Sequence, residues 1–123
     1  MQRAVAYLRT NDGDRAKIAA QRTAIEAWAE RTRTPVIGWF IDAYESASTA
    51  PLDRPSLRDA LATASQPGIV FIVSAADRLS RSTLQVAHIA SLLQCHGASL
   101  KTVDGHAESA LALLGTSVLE ALH

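Results

Sequence analysis

The chain has 123 residues, 48% apolar and 20% charged, with as many acidic as basic side chains. That is enough for one domain with a real core and too little for two, and zero net charge argues against a chain that grips duplex DNA unaided, because nonspecific affinity comes mostly from Lys and Arg at phosphates. One cysteine excludes an intrachain disulfide and suits a reducing, cytoplasmic setting; no run reaches the ~18 apolar residues of a membrane span, and MQRAVAYLRT lacks the apolar core and cleavage pattern of a signal peptide.

Ala4–Leu8 is a short apolar run, β-type by its length and its Val and Tyr. From Asp14, a candidate cap, to about Arg33 the pattern turns helical, with Ile18, Gln21, Ile25 and Trp28 at three- and four-residue steps and Pro35 beyond the end. Val36–Ile41 reads as a strand buried on both faces, and the stretch from Asp42 to Asp53 is a polar loop of small residues. Pro55 suits the first turn of a helix through Leu57, Leu61 and Ala64, which Pro67-Gly68 breaks. Ile69–Val73 is a central-strand pattern. After a turn at Asp77–Arg81, the positions Leu84, Ala87, His88, Leu92 and Cys95 mark a helix face, ended by Gly97. Ala98–Val103 is a further strand, Asp104-Gly105 a turn, and Ala107–Leu122 a last helix rich in Ala and Leu.

This alternation predicts one α/β domain over 1–123, a mostly parallel sheet of four to five strands flanked by helices. In such sheets ligands sit beyond the carboxyl ends of the strands. Arg9 and Asn11 follow the first strand, Asp42 and Ser46 the second, and Asp77-Arg78 the third. Arg9, Arg54, Arg78 and Arg81 converging there would suit phosphoryl transfer, since guanidinium forks match the oxygens of a phosphodiester and stay charged. On spacing alone, surface ion pairs with Asp42, Asp53 and Asp77 are the commoner explanation.

The motifs tip that balance. Tyr7-Leu8-Arg9, Gln21-Arg22 with Ala24-Ile25, Asp42 then Ser46, Leu52-Asp53-Arg54-Pro55-Ser56-Leu57, Asp77-Arg78-Leu79-Ser80-Arg81 and Gly97-Ala98 before a strand ending at Asp104 follow one another in order. Together they resemble the catalytic domain of the resolvase/invertase group of serine recombinases, across nearly the whole chain. The resemblance implies a DNA recombinase domain in which a serine attacks the scissile phosphate and forms a 5′-phosphoserine link. It implies that Arg9, Arg78 and Arg81 hold the phosphate, that Arg54 helps from a mobile loop, that Asp77 orients arginines or moves a proton, and that Gln21, Asp42 and Ser46 support the site.

Three departures qualify it. Asn11 stands where the family has its serine, and an amide is no nucleophile; neighbouring Thr10 points to the other side of the strand. The loop Asn11-Asp12-Gly13-Asp14-Arg15 adds two carboxylates that would repel a phosphate. The chain stops at His123, short of the basic stretch and helix-turn-helix domain with which the family reaches DNA. A pseudoenzyme is the resulting expectation, inert or regulatory, with only weak DNA-phosphate binding alone. The apolar surface of 107–122 implies a homodimer, or a heterodimer with a full-length recombinase. The rivals are an active recombinase subunit with a different nucleophile and an anion- or nucleotide-binding module using the arginine pocket.

No cofactor, metal or membrane is expected. His88, His96, His106 and His123 lack metal spacing, Cys95 is read as core, and Trp28 and Trp39 as packing residues.

Overall fold

The computed structural model describes residues 2–105. Four strands and three helices alternate: β1 (Arg3–Arg9), α1 (Arg15–Thr32), β2 (Val36–Asp42), α2 (Pro55–Ala64), β3 (Ile69–Val73), α3 (Thr83–Gln94) and β4 (Ser99–Thr102). Single 3₁₀ turns at Pro51–Asp53 and Ala76–Arg78 precede α2 and α3. The last helix read from the sequence, 107–122, lies outside the described residues.

All pairings are parallel and the strand order is β2-β1-β3-β4. Period-two alternation divides the core between the faces. Val5, Tyr7, Ile69, Phe71 and Val73 point toward Leu57, Ala60 and Ala64 of α2 and Val86, Ile89 and Leu93 of α3. Ala4, Ala6, Val70 and Ile72 point the other way, toward Ile25 and Trp28 of α1. The chain leaves β1 toward β2 and returns to the opposite side of β1 as β3. A crevice therefore opens beyond the carboxyl ends of β1 and β3, where the direction of winding reverses.

Local sequence explains the element ends. Asp14 caps α1 by accepting from the Ala16 N–H at 2.8 Å, and Arg33 closes the helix in the left-handed region (φ 55°). Ser82 caps α3, its hydroxyl accepting from the Gln85 N–H. Gly97 turns the chain out of α3 at φ 77°, where a side chain would press on Pro67.

Three expectations are corrected. β2 is not buried on both faces: it is an edge strand, and Ile37 and Ile41 stay exposed. Its apolar run is that of a central strand, but among the described residues it pairs with β1 alone. In α3 the core face is Val86, Ile89, Ala90 and Leu93, while Leu84 and Leu92 are exposed. The helix is apolar nearly all round, so two stripes compete and periodicity alone cannot choose between them. Cys95 follows the losing stripe and is exposed, not core.

Candidate active site

The crevice holds a cavity of about 170 Å³. Arg9, Thr10 and Asn11 line it from the end of β1, Asp77, Arg78 and Arg81 from the segment after β3, and Lys17 from the first turns of α1. Four cations thus face one carboxylate. Among the described residues the buried Arg78 Nε–H has no hydrogen-bond partner; Asp77 Oδ1 stands 3.6 Å away, within ion-pair range only. A buried donor in that state at a cationic cavity suits an anion that would accept from it.

Behind the cavity lies a frame of buried polar groups. Gln21 grips the backbone of Arg9 from both sides: its Oε1 accepts the Arg9 N–H at 3.1 Å and its Nε2 donates to the Arg9 carbonyl at 2.9 Å. The Arg9 side chain is itself buried. Its Nε donates to the Arg78 carbonyl (3.0 Å), Nη2 to the Asp77 carbonyl (3.1 Å), and Nη1 to the Glu45 carbonyl (2.8 Å) and to Asn11 Oδ1. Burial, followed by repulsion from Arg54, lowers the Arg9 pKa from its ordinary value.

Arg54 is fully buried. It donates to the carbonyls of Thr49 (3.0 Å), Ala47 (3.2 Å), Arg78 (3.3 Å) and Leu79. It does not line the cavity; its guanidinium, with four carbonyl partners, ties the loop after β2 to the turn after β3 instead of reaching the cavity from that loop.

Asp42, also buried, accepts from the Tyr7 hydroxyl (2.8 Å) and from the backbone N–H groups of Ser56 (3.1 Å) and Leu57 (3.0 Å). It caps α2 from a distance, which matters because Arg54 at the N-cap position offers no side-chain acceptor. Burial pushes the Tyr7 hydroxyl well above its usual pKa, and the Asp42 carboxylate adds to that.

The structure therefore gathers Arg9, Asn11, Asp77, Arg78 and Arg81 at the cavity and puts Gln21, Asp42 and Arg54 behind it. Ser46 belongs to neither group; it is exposed and its hydroxyl meets that of Ser48 at 2.8 Å. The ion pairs suggested for Asp42 and Asp53 do not form with these arginines, and only Asp77 approaches Arg78. The repulsion expected from the acidic loop is also blunted. Asp12 pairs with Lys17 at 2.9 Å, and Asp14 is occupied as the α1 cap. Sequence reasoning missed Lys17, whose signal was its place one turn inside a helix that begins at the strand-end loop. It also missed the cation–π contact of Arg22 over Trp39, 4.4 Å from the ring centroid.

A family model described as the resolvase N-terminal domain matches residues 4–121. The chain belongs to that family. It has the α/β fold of a serine recombinase catalytic domain, a class of protein related to site-specific DNA recombination. The N-terminal catalytic domain of TP901-1 integrase is similar at a TM-score of 0.76 and 17% identity, covering 99% of this chain and 100% of that one. The C-terminal catalytic domain of IS1535 TnpA, an IS607-like serine recombinase, reaches 0.67 and 26% over 80% of this chain and 69% of its own. A resolvase-family site-specific recombinase from Streptococcus pneumoniae reaches 0.67 and 16% over 98% and 91%. No curated protein matches the sequence.

Proposed function

We propose that this resolvase-family domain holds a DNA phosphate without cutting it. The observation that carries the reading is Asn11. It lines the cationic cavity with its amide oxygen turned to Arg9, and an amide nitrogen is delocalised and cannot serve as the nucleophile of phosphoryl transfer. The Thr10 hydroxyl, at the cavity itself, and the Ser80 hydroxyl both make local hydrogen bonds. Thr10 is buried and its Oγ1 accepts the Gly13 N–H at 3.0 Å, while Ser80 is buried and its Oγ donates to Gln85 at 2.6 Å.

Phosphate holding is supported by the cation-lined cavity and the unpartnered Arg78 Nε. The zero net charge of the chain makes such binding weak and salt-sensitive. Regulation then falls to mixed assemblies: the apolar sequence 107–122 suits a homodimer or a heterodimer with a full-length cytoplasmic recombinase.

A nicked suicide DNA substrate tests the chemistry. The wild-type chain is expected to form no covalent adduct on denaturing gels, whereas Asn11→Ser, which restores a hydroxyl beside Arg9, Arg78 and Arg81, is expected to form one at a detectable level. A wild-type adduct would overturn the proposal. Light scattering across a concentration series tests association; a monomer at every concentration removes the homodimer.

A further inference from the structure

A second concavity, of about 480 Å³, lies between α1 and the end of β2. Gly13, Arg15, Ile18, Arg22, Ile41 and Tyr44 shape it, and among the described residues no carboxylate lines it. Its most unusual member is Tyr44, a large ring left 77% exposed. The ring lies against Gly13, where the backbone is left-handed (φ +70°) and a Cβ would overlap the tyrosine. The exposed ring thus rests against a backbone that carries no side chain.

The two concavities share one backbone junction. The Thr10 hydroxyl accepts the Gly13 N–H at 3.0 Å, the Glu45 N–H donates to the Thr10 carbonyl at 3.0 Å, and Arg9 donates to the Glu45 carbonyl at 2.8 Å. Tyr44 is thus one residue from a carbonyl held by an arginine of the phosphate cavity. On its far side Arg22 lies over Trp39 and pairs with Glu26 at 3.2 Å, and Arg15 adds a second cation at the start of α1.

We infer that Tyr44 is a stacking platform for an unpaired DNA base beside the phosphate in the Arg9/Arg78/Arg81 cavity, with Arg15 and Arg22 accompanying the strand onward. The inference rests on the phosphate-holding reading and adds to it a ligand class, single-stranded DNA. An exposed aromatic face, the arginines Arg15 and Arg22 along one border and a backbone junction shared with the phosphate cavity together suit a surface that stacks a base and tracks a backbone. In a duplex the bases are already stacked on one another and offer the ring no free face.

Fluorescence anisotropy with the full 123-residue chain compares a ten-nucleotide thymidine oligomer with an abasic oligomer of the same length and charge. The thymidine strand is expected to bind about tenfold tighter, the scale of one stacked base. Tyr44→Ala should remove that preference and leave abasic binding unchanged; Tyr44→Phe should keep it. A 2-aminopurine base in the strand should be quenched by the wild type and by Tyr44→Phe but not by Tyr44→Ala. Equal binding of the two oligomers by the wild type, or an equal loss for both in Tyr44→Ala, overturns the stacking site and leaves the phosphate reading intact. If neither oligomer binds and sulfate does not protect the chain against heat, the phosphate reading falls and takes the stacking site with it.

Discussion

Replacing Asp42 with Ala should destabilise the domain more than any exposed change at the cavity. The carboxylate serves three donors at once: the Tyr7 hydroxyl and the first free N–H groups of α2 at Ser56 and Leu57. Loss of a helix cap costs about 0.5–2 kcal/mol, and stranding a buried hydroxyl adds roughly 1–3 kcal/mol. The expected total is about 2–4 kcal/mol. For a chain of this size that lowers Tm by roughly 10 °C. Urea titration should show a lower midpoint at unchanged slope, the signature of lost stability without a change in the surface exposed. Asp42→Asn, which keeps one acceptor position, should lose about half as much. Tyr7→Phe alone should cost about 1 kcal/mol and nothing in the Asp42→Ala background, giving a coupling of about 1 kcal/mol or more. If Asp42→Ala stays within ~0.5 kcal/mol of wild type, or the two substitutions simply add, Asp42 does not join β1 to α2 as described.

Arg54→Ala should be comparably damaging, about 3 kcal/mol by thermal or urea unfolding, because four carbonyls around a fully buried guanidinium lose their donor; a loss confined to phosphate binding would contradict the geometry. Arg78→Ala should change stability by under ~1 kcal/mol yet weaken sulfate binding about tenfold by calorimetry, the scale of one charge-assisted hydrogen bond. Asp12→Asn should strengthen sulfate binding a few-fold at low salt by releasing Lys17 from its partner. The same pair sets a pH window. Asp12 is held below its ordinary 3.8 and Lys17 above its ordinary 10.5, each chiefly by the hydrogen bond between them. The small stability difference between wild type and Asp12→Asn should therefore be flat near neutrality, vanish as acid protonates Asp12 below its depressed pKa, and vanish again as alkali deprotonates Lys17 above its raised one.

Much of this architecture was written locally. The strand at Ile69–Val73, the Asp14 cap, the Pro55 start of α2 and the Gly97 turn each depend on a few adjacent residues, and each formed where the pattern put it. Positions decided by the neighbours of an element were harder to read. The run Val36–Ile41 carries no mark of its place at the sheet edge, and α3 offers two apolar stripes of which tertiary contact chooses one. The site shows the same division. The motifs drew Arg9, Asn11, Asp77, Arg78 and Arg81 together because strand ends and sheet winding bring them to one crevice. They could not tell an arginine facing the crevice from Arg54 facing carbonyls, nor foresee that Lys17 would neutralise Asp12, since both depend on side-chain direction.

Arg9 and Arg54 both spend hydrogen bonds on the carbonyl of Arg78, and between them they fix the turn that presents Arg78 and Arg81. Drift away from catalysis would therefore be asymmetric. A surface-facing nucleophile can be exchanged for an amide with little effect on folding, while the buried arginines cannot leave without loosening the turn. Of the cavity's cations it is Arg9 whose retention folding itself demands; Arg78 and Arg81 are presented by the turn without holding it together.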